Sequence, residues 1–429
     1  MNTNTYKSLS ADSASFAQKV FNDVAAMSRN SEGGFSRPGY SAVENKVHEY
    51  LKDIARGLNL EISVDRAGNL FMTLPGRDRS LPCYMTGSHA DSVPRGGNYD
   101  GLAGVVAALT VIRSLKEQGI QLRRDTTAVV FRMEESSWFG KAYVGSLAMV
   151  GKLAPEHLQL KHRSENQTLE QAVEEAGFHA QDLVLPTPTI DLSRIAAFTE
   201  LHIEQGPTLD TDADCRIGIV TGIRGNVRHK VCRCIGERAH SGAVDRQYRH
   251  DPVIALASVL AKMDQHWESW IGSGKDLVMT TGVVKTEPEA AIAVIPGEVT
   301  FSLDIRSLSS KVINDFLALF EAECAVSSAD RGVDFEFDKA LITEPAGLDK
   351  KLTEYLVQSA YKADIRVRKM PSGAGHDSAV LANAGIPSSM IFVANQEGSH
   401  NPNEKMLMDD FMRGAEVLNA AVSCFDDDL

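Results

Sequence analysis

Short stretches far apart in this chain concentrate side chains that can hold divalent metals. His89 and Asp91 stand two apart in GSHADSV, and Asp100 follows in GGNYDGLAG. Glu134 and Glu135 are adjacent in VVFRMEESS, His202 lies in LHIEQGP and His400 in EGSHNPNE. Imidazole nitrogens and carboxylate oxygens suit zinc, and also manganese, cobalt or nickel. A further carboxylate beside such ligands can serve as a general base. Singly, each residue has an ordinary explanation: a core histidine, a helix cap at Asp100, a solvated pair of glutamates. Asp91 can accept the second N–H of His89, a partner that metal-bound imidazoles commonly have. Together, His89, His202, His400, Asp100 and Glu135 make two imidazole–carboxylate sets sharing one aspartate. Such a set fits a two-metal hydrolytic centre better than a closed structural zinc.

The elements that must bring these residues together are written in the hydrophobic pattern. LPCYMTGS and DTTAVVFRME are apolar runs suited to buried strands, and DGLAGVVAALTVIRSLKEQGI reads as a helix with Asp100 as N-cap and Gly119 as its stop. Strand, helix, strand at this spacing predicts a mixed, largely parallel α/β sheet flanked by helices. Loops at the carboxyl ends of parallel strands share one crevice, so ligands distant in sequence can converge there. If the DTTAVVFRME strand persists, Glu134 and Glu135 point to opposite sides.

After LHIEQGPTLD the pattern changes. NVRHKVCRCIGE, DPVIALASVLAKMDQHWESWI, LVMTTGVVKTE, AIAVIPGEVTFSLDIRS, SKVINDFLALFEAECAVSS and VDFEFDKAL give the order β-α-β-β-α-β of a ferredoxin-like α+β unit. This predicts an insertion over residues 214–329 in a catalytic domain made of 1–213 and 330–429, although the last strand could instead return to the main domain.

With 429 residues, 43% hydrophobic and 24% charged, the chain has the composition of a globular protein of two domains. A formal charge of −13 argues against nucleic-acid or anionic-membrane partners. MNTNTYKSLSADSASFAQKV lacks the apolar core of a signal peptide, and no run approaches a membrane span. Six sparse cysteines, with only Cys232 and Cys234 close together, are expected to be reduced structural thiols of a cytoplasmic protein.

In order, SHADSV, Asp100-Gly101, EESSWFG, LHIEQGP, IPGEVTFSLDIRS, SGAGHD and SHNP resemble the two-metal family of aminoacylases and metal-dependent exopeptidases. The similarity runs from about residue 40 to the end and is greatest to the branch of N-carbamoyl-L-amino-acid hydrolases, allantoate amidohydrolases and yeast-type β-ureidopropionases. The resemblance implies two divalent ions per subunit and a homodimer formed through the inserted lid. It gives His89, Asp100 and His202 to one ion and Asp100, Glu135 and His400 to the other. Glu134 would be the general base for a metal-bridging water, and Asp91 would orient His89. Histidine at position 202 favours ureido and carbamoyl hydrolases over many peptidases, which carry a carboxylate there.

On the substrate side, the resemblance makes Arg306 in LDIRS the grip on a small substrate's carboxylate, where a guanidinium fork is well suited. It makes His240 in GERAHSG an oxyanion donor reaching a partner subunit's site, and gives Gln205 and Gly375 (in SGAGHD) contacts to substrate. Two departures bear on specificity. AVDRQYRHD stands where relatives carry a Pro-Met turn, and Ala293 replaces an asparagine that also contacts the carboxylate. The expected reaction is hydrolysis of a carbamoyl or ureido C–N bond. The alternatives are an N-acyl-amino-acid or dipeptide amide hydrolase and, from another class, a non-catalytic metal- or ligand-binding scaffold. Retention of Glu134, which mere binding would not need, speaks against the last.

Overall fold

A computed structural model describes residues 6–428. Residues 1–5, the start of the segment that lacks a signal-peptide core, lie outside the described residues. Gly222–Ala346 forms one compact unit and the flanking segments form the other.

The larger unit is built on a nine-stranded mixed sheet. Its centre runs Thr126–Phe131, Cys83–His89, Ile195–Ile203 and Ser388–Val393, all mutually parallel. Leu70–Leu74 with Glu61–Val64 on one side and Ile217–Ile223 on the other add antiparallel strands. The central strands are buried on both faces, as their continuous apolar runs require. Helix Leu102–Glu117 is buried nearly all round because LAGVVAALTVI has no polar stripe. It packs with Ser13–Ser28 and Met408–Asp428 against one sheet face, in a core that includes Val105, Leu109, Ile112, Leu201 and Phe411. Each such fully buried Val, Leu or Phe side chain contributes roughly 1.5–3 kcal/mol.

The smaller unit is a four-strand-wide antiparallel sheet in the order Val284–Thr286, Glu298–Ser307, Gly225–Ile235, Asp334–Glu336. With helices Pro252–Gly272 and Ser310–Arg331 inserted after the first and third strands, this is the ferredoxin-like order. Strict alternation along Glu298–Ser307 turns Val299, Phe301, Leu303 and Ile305 into a core with Phe316 and Phe320 of the second helix.

The insertion boundaries differ from the expected 214–329. Ile217–Ile223 pairs with Ser388–Val393 in the large sheet, so the insertion starts later. Asp334–Glu336 and Leu341–Thr343 both pair with Gly225–Ile235, so it ends later, at 346.

Candidate active site

The parallel strands all end on one edge of the large sheet, and the candidate ligands leave from those ends. His89 is the last residue of its strand, opposite Phe131 in the next. His202 is the penultimate residue of Ile195–Ile203, opposite Phe392. His400 lies seven residues beyond Val393, at a left-handed φ of 60°.

Asp100 is the meeting point. Its Oδ1 lies 3.6 Å from His89 Nε2 and 3.3 Å from His202 Nε2, while Oδ2 lies 3.5 Å from His400 Nε2. His400 Nε2 is also 3.3 Å from Glu135 Oε1. Two triads result, His89–Asp100–His202 and Asp100–Glu135–His400, each with ligand atoms within 4.8 Å of one another. These are the sets expected from sequence. Asp100 does not cap the following helix, however: Gly101 occupies the cap position at φ 66° and no side chain caps it. The carboxylate is turned into the crevice instead, and a Cβ on Gly101 would run into the His89 ring.

The imidazoles are aimed by their far nitrogens. His202 Nδ1 lies 2.9 Å from the Ile203 carbonyl, so Nδ1–H donates there, and Nε2, on the Asp100 side, accepts the Gly101 N–H at 3.1 Å. His89 Nδ1 lies 3.2 Å from the Asp91 carbonyl and 3.3 Å from Asp91 Oδ1. Asp91 also reaches the glutamate pair. Its two carboxylate oxygens accept the backbone N–H groups of Glu134 and Glu135, both at 3.0 Å.

The strand expected to carry this glutamate pair stops at Phe131, and Met133 turns left-handed at φ 47°. The period-two rule therefore lapses, and both carboxylates are buried toward the same crevice instead of facing opposite sides. Glu44 braces that turn: its carboxylate accepts from Arg132 Nη1 at 2.7 Å and from the Met133 N–H at 3.2 Å. Glu135 joins the ligand triad. Glu134 belongs to neither triad, and its Oε2 is 3.9 Å from His89 Nε2.

Sequence reasoning passed over several neighbours. Glu404, four residues after His400, accepts from the Tyr99 and Asp100 N–H groups at 2.9 and 3.3 Å, and Ser399 Oγ lies 2.6 Å from Glu404 Oε2 and 2.5 Å from Asp100 Oδ2, its single proton serving one of them at a time. Burial and the Asp100 charge push Glu404 up to about 7. His376 of the SGAGHD segment packs edge-on at 4.5 Å against His202. Buried Arg37 holds the loop after His89, donating to the Ala90 carbonyl at 2.6 Å and Asn98 Oδ1 at 3.0 Å. A third triad, Glu200–His202–His376, is geometrically possible. Glu200 is already occupied by Ser88 Oγ, Ser378 N–H and Ser378 Oγ at 2.7–3.0 Å, which makes it a brace.

Burial raises Glu134 well above the usual carboxylate range, reinforced by Glu135, Asp377 and Asp91 and partly offset by His89. Burial likewise raises Glu135. For His89, burial opposes the charged ring, yet Glu134, Asp91 and Asp100 outweigh it and hold the imidazole well above its ordinary value. Hydrogen bonds to Asp100 and Glu135 take His400 to about 11. Buried carboxylates here outnumber fixed cations, so the imidazoles are drawn toward protonation. Divalent cations would meet the same demand, and the N/O donor set with Nε2 lone pairs converging on Asp100 fits them.

The residues expected to face substrate lie on both units. Gln205, at φ 65°, donates from Nε2 to Asp100 Oδ2 at 2.7 Å, and its buried Oε1 has no partner. Gly375 lies in the loop before helix Asp377–Asn383, where a Cβ would meet the Tyr143 hydroxyl. His240 and Arg306 belong to the smaller unit. His240 is exposed on a two-residue strand paired with Val294, next to Ala293, so these two positions singled out from sequence are neighbours. Arg306 is held by Asp304 on the same strand face, through Nε at 3.0 Å and Nη2 at 2.8 Å.

Residues 85–423 match peptidase family M20/M25/M40. The chain belongs to this family. Among curated relatives it is 31% identical to the N-carbamoyl-L-amino-acid amidohydrolase of Pseudomonas sp. (strain NS671), over 93% of this chain and 95% of that one. It is 32% identical to the allantoate amidohydrolase of Escherichia coli (strain K12), over 90% and 92%. The crystal structure of an amidase of the hydantoinase/carbamoylase family from Burkholderia multivorans superposes with a TM-score of 0.87 at 28% identity, covering 97% of this chain and 98% of that one. This M20-family member is accordingly a metal-dependent hydrolase of carbon–nitrogen bonds other than peptide bonds. Among its described residues no helix is long and apolar enough to cross a membrane.

Proposed function

We propose that the chain hydrolyses the carbamoyl or ureido group of a small N-carbamoyl amino acid or related ureido acid, with Glu134 as the proton carrier. The observation that supports this most is the position of Glu134: a buried carboxylate 3.9 Å from His89 of one triad, next in sequence to Glu135 of the other, and part of neither. His89, Asp100 and His202 would hold one ion and Asp100, Glu135 and His400 a second. Bound there, the ions would lower the pKa of water toward about 7 and polarise the carbonyl.

The residues of the chain divide the remaining work. Glu134 Oε2 accepts a proton from the attacking water and passes it to the leaving nitrogen; a carboxyl raised out of its usual range suits this two-way transfer near neutral pH. Asp91 fixes His89 and both glutamates at once. The unpartnered Oε1 of Gln205 is available to a ureido N–H, a contact that a plain acyl substituent would not supply at its methyl end. His240 supplies an oxyanion donor. Arg306 exchanges its tie to Asp304 for the substrate carboxylate. The amine leaves with the proton from Glu134, and the carbamic acid formed with it decomposes to carbon dioxide and ammonia.

The reading includes a cytoplasmic homodimer joined through the inserted unit. Its edge strand Val284–Thr286, with exposed Val283 and Val284, supports pairing with a second copy. Glu134→Gln tests the core of the proposal. The variant should bind both ions and lose turnover of an N-carbamoyl amino acid by about 10²–10⁴-fold or more. Near-normal turnover by the metal-loaded variant would remove Glu134 from its role.

A further inference from the structure

The inserted unit carries a cluster that the hydrolytic reading leaves unused. Along Gly225–Ile235 the pairing with Glu298–Ser307 slips: His229 lies opposite Leu303, but Cys232 lies opposite Phe301. Three steps on one strand therefore match two on the other, a β-bulge at Lys230–Val231. On a regular strand, residues three apart face opposite sides. The bulge puts two consecutive exposed residues, Lys230 and Val231, between them, and turns His229 and Cys232 onto the same buried face.

The strand on the other side is interrupted at the same level. Asp334–Glu336 pairs with Arg233–Ile235 and Leu341–Thr343 pairs with Asn226–Arg228, while residues 337–340 bow out opposite the bulge. Asp338 of this bow turns inward. Its Oδ2 accepts the Lys230 N–H at 3.1 Å, and its carbonyl and Oδ1 lie 2.9 and 3.1 Å from His229 Nδ1. One imidazole nitrogen, the Cys232 sulfur and one Asp338 oxygen lie within 4.8 Å of one another. The imidazole is 7% exposed and the thiol is fully buried. Both adjoining strands thus break their regular pairing at the point where three different ligand types meet.

We propose that His229, Cys232 and Asp338 form a further transition-metal site, taking a zinc-like divalent ion that clips the 337–340 bow onto the bulge. Imidazole, thiolate and carboxylate are all ligands of four-coordinate zinc, and three protein ligands leave one position for water. On binding, the sulfur–metal bond replaces the S–H bond, and the thiol proton leaves to solvent. The site is distinct in chemistry from the sheet-edge triads, which contain no sulfur.

That difference makes it testable on the full-length, metal-stripped protein with cobalt(II) chloride. Only a sulfur ligand gives a thiolate-to-cobalt charge-transfer band in the near ultraviolet, so the oxygen–nitrogen triads are silent. The expected result is a band whose final amplitude corresponds to one sulfur-bound cobalt per chain, reached whether or not the silent triads fill first, and absent in Cys232→Ala. In Asp338→Asn, a change at a part-exposed loop residue that keeps the test open if Cys232→Ala does not fold, the titration should shift to cobalt concentrations at least about tenfold higher. A wild-type protein without the band, or a band that survives in Cys232→Ala, would overturn the proposal.

Discussion

The edge of the large sheet and the inserted unit hold their candidate residues in opposite ways. At the sheet edge His89, Asp100, Glu134, Glu135 and His202 are at most 7% exposed, while the side chain of His400, on its loop, is 51% exposed. Buried partners fix the first five in place. Asp91 holds the glutamate pair, Glu404 and Ser399 hold Asp100, and Glu44 holds the turn before Glu134. In the inserted unit His240 is exposed on a two-residue strand, and the Arg306 side chain is 30% exposed and bound to Asp304, which is itself 23% exposed. The contrast separates two jobs. Groups that must meet developing charge gain from being preorganised, because no reorganisation is left for the reaction itself. Arg306, proposed to take the substrate carboxylate, can exchange its Asp304 partner for it, while His240, proposed as oxyanion donor, is the exception to this division, a charge-stabilising group on an exposed strand.

The comparison can be broken first at His240. If it donates to the oxyanion, His240→Ala should lower kcat by about 10²–10³-fold with metal content unchanged. A change confined to KM would return it to the substrate-binding class. Asp91→Asn probes the opposite region. Losing a carboxylate oxygen that braces the glutamate turn and His89 should weaken metal affinity or activity by about 10–100-fold, measured by chelator competition and turnover; an effect on neither would mean that the turn is held without it. A third test sharpens the electrostatics. Glu134, Asp91, Asp100 and Glu135 keep His89 and His400 protonated above the ordinary range, so an incoming ion must displace protons from them. Metal affinity should therefore fall steadily as pH is lowered from about 8 toward about 6, as followed by competition with a chelating dye. Affinity flat with pH would show that these imidazoles are not the ligands.

The gathering of the candidate ligands was legible because His89, Glu135 and His202 lie at or just beyond apolar strands, and parallel strands bring such ends together; Asp100 and His400 stand in polar loops and were legible only beside them. The failures of sequence reasoning were local or long-range. Asp100 ahead of an apolar helix looks like a cap; only the folded backbone, with Gly101 left-handed beneath the His89 ring, turns its carboxylate away. The strand before Glu134 gives no sign in its residues that Met133 ends the alternation. Glu44, Arg37 and Glu404 act across long sequence separations, where no spacing rule reaches. The insertion limits were missed because Ile217–Ile223 and Asp334–Glu336 are short, and amphipathic or apolar runs do not state which sheet they will join.

The most direct test of the proposed activity is product analysis on one metal-loaded preparation offered N-carbamoyl, ureido and N-acyl amino acids in parallel. Release of ammonia in step with free amine from carbamoyl or ureido acids, at rates well above acyl cleavage, is the predicted result. Preferential release of carboxylic acid and amine from N-acyl substrates, with no ammonia from any carbamoyl acid, would contradict it.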